Sequence, residues 1–370
     1  MRAFVFTDKA LARYAGQFVW LAVDIENSTN ARFLQKYPIN VLPTLLVINP
    51  KQESVALRYA SGATVPQLEK LLNDASRGMK SKADLALERG DQLANDRKRA
   101  EAAKAYEEAI AAAPKNWSRL GRAAESLTSA LLESDQLEQC IDRALALYPR
   151  VKGTYSAMNV AANGLSCASE KPEANRAAFD QLEKDTRETL DDPKIPLAAD
   201  DRSGLYETLA DARDAVKDAE GAQKIREQWA AFLEGEAKKA KTAEQRASFD
   251  SHRLTAYLDL KEPERAIAML EQSERDFPND YNPPARLGLV YRTMGKYDEA
   301  IDAYDRALKH AYGPRKISIL RGKADTYASK GDKEAAKQTI EEAIRYAESL
   351  PEGQRSDAAI ASLRKKLETI

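Results

Sequence analysis

Cysteine and histidine are almost missing from this chain, with two of each in 370 residues. A zinc or haem centre built from several Cys and His ligands is therefore excluded, and so is a small fold stapled by many disulfides. Net charge is also missing. Lys plus Arg number 57 and Asp plus Glu 58, leaving −1. A dedicated nucleic-acid binder needs a basic surplus to displace phosphate counterions, so that class is set aside. No apolar run approaches the ~20 residues of a membrane-spanning helix. Residues 1–8 lack the apolar stretch of a signal peptide. Gly-rich phosphate loops, G-x-S-x-G and H-E-x-x-H are absent from the whole sequence. What remains is a chain 31% charged and 43% apolar, a helix-rich composition.

The strand-like sequence is confined to residues 1–77. Gln17-Phe18-Val19-Trp20-Leu21-Ala22-Val23-Asp24 is a continuous apolar run and predicts a strand buried on both faces. Leu45-Leu46-Val47-Ile48-Asn49-Pro50 predicts a second strand. A polar turn at 51–54 leads to its hairpin partner, Val55-Ala56-Leu57-Arg58-Tyr59-Ala60. Asn27 and Ser28 can cap a helix over 29–37. Thr64-Val65-Pro66-Gln67 has the capping-box pattern and opens a helix over 67–75. A polar linker is expected at 78–82.

From 83 onward the period is helical and the pattern repeats. Unit 281–314 places Leu287-Gly288, Tyr291, Gly295, Tyr297, Ala300, Tyr304 and Ala307 at signature offsets. It thereby resembles the roughly 34-residue tetratricopeptide repeat (TPR). Unit 247–280 carries Leu254, Tyr257, Ala266, Leu270 and Pro278, and unit 83–116 carries Gly90, Ala102, Tyr106, Ala109 and Pro114. Unit 317–350 carries Ala324, Tyr327, Gly331, Ala336, Ile340 and Ala343. Small residues let two antiparallel helices approach, and large ones fill the gap between them. Unit 118–151 keeps only its second half. Residues 152–236 are degenerate, with Leu205, Leu209, Ala212 and Val216 facing Ala222, Ile225, Trp229 and Phe232. Residues 351–370 hold a capping helix. The expected fold class is mainly α: a TPR-like helical solenoid over 83–350 with a small N-terminal α/β domain.

That domain, residues 1–77, resembles an incomplete thioredoxin fold. The resemblance rests on Val41-Leu42-Pro43-Thr44-Leu45-Leu46-Val47, followed by a hairpin, Gly62 and a capped terminal helix. It implies a cis Leu42–Pro43 bond. It also implies a Cys-x-x-Cys, which this sequence lacks; the family spacing puts the second Cys a few residues before Met1. The central strand of that fold would be missing too. The strands expected at 18–23 and 44–49 would then flank a slot about 9–10 Å wide, twice the usual spacing. The expected outcomes are direct pairing of the two strands or an open slot, filling by another chain, or poor order.

The remaining chemistry-bearing residues read as structural. Cys140 and Cys167, 27 residues apart, read as buried small apolar side chains rather than a redox pair. His252 and His310 have no ligand partners at metal spacing. Asp24 and Glu26 are assigned to helix start and solubility, and Arg97-Lys98-Arg99 and Lys238-Lys239-Ala240-Lys241 to solvated faces. Trp20, Trp117 and Trp229 read as core.

The functional expectation is a non-catalytic protein-interaction scaffold, without cofactor or metal, binding a protein or peptide in the concave groove of first helices. The groove candidates are Asn282, Ala285, Leu289, Arg292, Thr293, Ser318, Arg321 and Asp325; Leu42, Pro43 and Thr44 could pair with an extended peptide. The Lys and Asn pattern of repeats that grip chaperone tails is not matched by Ala285 and Leu289 or by Arg321 and Asp325. The alternative is a thiol–disulfide oxidoreductase whose Cys-x-x-Cys lies upstream of Met1, with the repeats recruiting substrate. No nucleic-acid partner and no membrane span are expected, and the oligomeric state is open. The sequence as it stands reads as cytoplasmic; a missing upstream signal would make it periplasmic or secreted.

Overall fold

The computed structural model describes residues 1, 3–39, 42–77 and 81–370. Short 3₁₀ helices at Lys9–Tyr14 and Ser28–Asn30 precede α1 (Ala31–Lys36). Strands β1 (Leu45–Asn49) and β2 (Ser54–Tyr59) follow, then α2 (Val65–Arg77). All later elements are helical among the described residues: α3 (Lys82–Asn95), α4 (Arg99–Ala111), α5 (Leu120–Glu133), α6 (Leu137–Val151), α7 (Ser156–Ser169), α8 (Arg176–Asp191), α9 (Ala199–Ala215) and α10 (Ala219–Lys239). After them come α11 (Ala243–Ala247), α12 (Asp250–Asp259), α13 (Ile267–Asp276), α14 (Asn282–Thr293), α15 (Tyr297–Leu308), α16 (Gly313–Lys330), α17 (Lys333–Ser349) and α18 (Asp357–Thr369). The fold is mainly α, a TPR-like solenoid with a small N-terminal sheet. The chain divides into two compact units, Met1–Ala15 with Ile39–Glu236, and Gly16–Pro38 with Ala237–Ile370.

In the first unit the hairpin forms as expected. β1 and β2 pair antiparallel, Leu45 opposite Tyr59 and Asn49 opposite Ser54, with a register shift between Val47 and Ile48. The Leu42–Pro43 bond is cis. At the start of α2 only half of the capping box forms: Gln67 Oε1 accepts from Thr64 N at 2.7 Å, while Thr64 Oγ1 is buried without a partner among the described residues. Residues 78–80 of the expected linker, and Asn40 and Val41 before the cis bond, lie outside the described residues.

Buried polar contacts join this N-terminal segment to the first helix pair. Arg119 donates to the carbonyl of Asp74 at 2.9 Å and pairs with Asp84 at 2.5 Å. Trp117 Nε1 also donates to Asp84, at 2.9 Å. Burial pushes the Asp84 carboxyl up, but the hydrogen bonds from Trp117, Ser81 and Arg119 outweigh it and hold it far below the usual carboxylate range.

The helix pairs pack by the expected small–large rule. A methyl group at Gly90 would lie 2.4 Å from Tyr106 Cε1, and one at Gly288 would lie 2.7 Å from Tyr304 Cε1. Ala102, Ala109, Ala300 and Ala307 are fully buried. The degenerate stretch also pairs: Leu205, Leu209, Ala222, Ile225 and Trp229 are buried, and Trp229 Nε1 donates to Ser203 Oγ at 2.7 Å. The second helix of unit 247–280 opens as a single turn at Pro263–Ala266 before α13. α18 buries Ile360 and Leu363 against Leu320, Ala324, Ile340 and Ala343.

Three expectations are corrected. First, residues 17–24 form no strand. Val19 is 88% exposed, Leu21 77% and Trp20 44%, so Trp20 is not core. An extended segment becomes a strand only beside a partner that accepts its backbone hydrogen bonds. Here β1 and β2 take each other, and no third strand exists among the described residues. Direct pairing of the two expected strands does not occur: among the described residues β1 pairs with β2 alone.

Second, Glu26 is no solubility residue. It accepts from the Arg315 backbone N–H at 3.1 Å and from Arg315 Nε at 3.3 Å. Asp24 Oδ2 accepts from Tyr312 Oη at 2.7 Å, and Gln354 Nε2 donates to the carbonyl of Ile25 at 2.8 Å. Burial pushes the Glu26 carboxyl up despite Arg315.

Third, Cys140 and Cys167 are buried but not free. They form a disulfide between α6 and α7 with a Cα separation of 6.3 Å, within the usual span of such bonds. The two helices are antiparallel neighbours joined through Gly153, midway between the cysteines in sequence. Residues equidistant from such a loop face each other.

Candidate functional site

First helices of successive pairs touch one another: α5 meets α7 and α7 meets α9 in the first unit, and α14 meets α16 in the second. Each row makes a continuous inner face. In the second unit this row gathers some of the expected residues. Arg292 on α14 reaches Asp325 on α16 at 3.4 Å. Lys366 on α18 reaches the other oxygen of Asp325 at 2.5 Å. Ser318 and Arg321 are exposed on α16, and Leu289 is half-buried. Thr293 Oγ1 donates to the carbonyl of Leu289 at 2.9 Å.

Two candidates serve packing instead. Asn282 donates to Asp280 Oδ1 at 2.7 Å at the start of α14. Ala285 packs against the cluster of Tyr304, Ala307 and Ile319. Lys366 was missed because its helix reads as a solvated cap. The expected N-terminal candidates lie at the entry to β1. Leu42 is 54% exposed, Pro43 packs toward Gly62, and Thr44 lines a cavity.

That cavity, about 330 Å³ in volume, lies in the first unit under the end of β2, against α3, α5 and α7. Sequence reading did not find it. Its floor is polar. Arg122, on α5, donates to the carbonyl of Arg58 at 2.9 Å and pairs with Asp91 on α3. Tyr106 Oη donates to Asp91 Oδ1 at 3.1 Å. At one edge Arg99 pairs with Glu133 at 2.6 Å. On α7, Asn159 Nδ2 donates to Glu125 Oε2 at 3.2 Å, and Asn163 Nδ2 donates to Thr128 Oγ1 at 3.1 Å.

Arg122 and Glu125 are each 5% exposed. Arg122 Nη1 and Glu125 Oε1 are buried without a hydrogen-bond partner among the described residues. Burial pushes the Glu125 carboxyl up to about 7, against the opposing pull of Asn159, Arg122 and Ser156. Burial also lowers the Arg122 guanidinium and raises the neighbouring Tyr59 hydroxyl. Hydrogen bonding and shape are what this arrangement offers: guanidinium, carboxyl, amide and hydroxyl groups converge on one cavity. Among the described residues no three His, Cys, Asp or Glu side chains gather at metal-binding distance, and no helix is long and apolar enough to cross a membrane.

The tetratricopeptide repeat family model matches residues 281–349. Small glutamine-rich tetratricopeptide repeat-containing protein 2 of Saccharomyces cerevisiae is 27% identical over 198 residues, 54% of this chain and 50% of that protein. The chain thus spans about half the length of this curated relative. Among solved structures, a tetratricopeptide repeat protein from Parabacteroides merdae is similar at TM-score 0.44 and 12% identity, over 78% of this chain and 99% of the other. BtubC from P. vanneervenii is similar at TM-score 0.40 and 17% identity, over 62% and 96%.

Proposed function

We propose that this chain is a protein-interaction scaffold whose inner rows of first helices hold an extended polypeptide. The observation that carries this reading is the row itself. First helices touch from α5 through α9 in the first unit and from α14 to α16 in the second, so their side chains form a shared floor within each unit, the kind of surface on which repeat arrays bind partners. In the second unit Leu289, Arg292, Thr293, Ser318, Arg321 and Asp325 are the proposed groove positions. The test is retention of a pool of randomised, N-acetylated and C-amidated hexapeptides on the immobilised full chain. Retention above a column carrying an unrelated helical protein is expected; no excess retention contradicts the reading.

Residues 1–77 are read as a thioredoxin-like element. The order hairpin, Gly62, α2 supports this. The Cys140–Cys167 bond favours an oxidising compartment over the cytoplasm. Thiol titration of the denatured, unreduced protein checks the bond: no free thiol is expected, and two would contradict it.

A further inference from the structure

We propose that the cavity under the end of β2 is a binding site for a short, uncharged stretch of extended main chain, held through its amide groups. This rests on the scaffold reading above and assigns it a particular place in the first unit. Two buried side chains define the need. Arg122 and Glu125 lie one turn apart on α5 and line the cavity, and among the described residues each keeps one polar atom unpaired, Nη1 a donor and Oε1 an acceptor when the carboxyl is ionised. Buried polar atoms are rarely left so, because nothing replaces the water they have lost. The C=O and N–H of an amide serve such a pair together. A carboxylate would suit Arg122 but be repelled by Glu125, and an ammonium group would meet the reverse.

The walls agree with an amide. Asn159 and Asn163 stand one turn apart on α7, and each uses one N–H inside the protein. Neither side-chain carbonyl accepts a hydrogen bond among the described residues, so two acceptors remain for main-chain N–H groups. Charge selects neither sign, since Arg58, Arg99 and Arg122 balance Asp91, Glu125 and Glu133 around the cavity. The carbonyl of Arg58 already accepts from Arg122, which turns the end of β2 toward α5. An extended chain entering there would lie between Tyr59–Ser61 and α7.

The experiment compares the native chain with two variants, using the randomised hexapeptide pool and, separately, hexalysine and hexaglutamate. The double variant Asn159→Ala, Asn163→Ala removes the two acceptors and is expected to lower retention of the uncharged peptides roughly tenfold. Ser126→Phe, from a half-buried position on α5, fills the cavity and is expected to match that loss. Circular dichroism and thermal unfolding establish that both variants are folded. If both retain the pool like the native chain, while Arg321→Ala loses it, the cavity proposal falls and the scaffold reading stands. If the native chain retains nothing, both fall. Preferential retention of hexalysine or hexaglutamate would overturn recognition through amides.

Discussion

The inner faces of the two units use the same helix pairs in opposite electrostatic ways. In the second unit, Arg292 and Asp325 form their pair with 29% and 27% of each side chain exposed. In the first, Arg122 and Glu125 lie at 5% exposure beneath the end of β2. Water screens the first set and leaves each charge nearly ordinary in energy. Burial makes the second set costly unless every atom is partnered. The same kind of helix row thus carries a partly exposed ion pair in the second unit and a charged, half-satisfied cavity beneath the end of β2 in the first.

The sharpest way to break this comparison is Arg122→Ala. It leaves Asp91 without its cationic partner, with Tyr106 Oη alone donating to it, and the carbonyl of Arg58 without its donor, and should cost about 3–5 kcal/mol in urea unfolding of the first unit. A loss below about 1 kcal/mol would place Arg122 in the same regime as Arg292.

Next is Glu125. Its folded carboxyl titrates near 7 instead of the usual 4.5, so the folded state keeps a proton that the unfolded chain has already lost. The stability linked to this group is fully present below 4.5 and is lost as pH rises through 7. Glu125→Gln should therefore flatten the fall in stability over that range. Equal pH slopes for the two proteins would contradict the burial argument.

The third prediction concerns packing that both units share. Ala300→Leu should overpack α14 against α15 and cost about 1–3 kcal/mol, read by thermal unfolding. The smallest effect is expected from Asp325→Asn, which removes a half-exposed partner of Arg292 and Lys366. It should cost no more than about 1 kcal/mol and still less in high salt.

How much of this was legible in the sequence follows from the range of each signal. Gly90 with Tyr106 and Gly288 with Tyr304 recur at fixed spacing because one helix pair needs one small and one large residue; that pattern is local and was read correctly. The hairpin was legible for the same reason, since its turn and strands are contiguous. Residues 17–24 were misread because an apolar run states a preference for burial, not that a partner strand exists. The disulfide could have been found from the symmetry of Cys140 and Cys167 about Gly153. The cavity could not: Arg58, Asp91, Arg122, Glu125 and Asn159 come from four separate elements, and only the packed fold shows that Arg122 and Glu125 are buried together.

The central claim is that an extended polypeptide lies on the inner face of the repeats, at the end of β2. Amide hydrogen exchange of the full chain, with and without the retained hexapeptides, tests it most directly. Slowed exchange at residues 58–61 on peptide addition, with α15 and α17 unchanged, is the expected result. Unchanged exchange along both inner rows at saturating peptide would contradict the account.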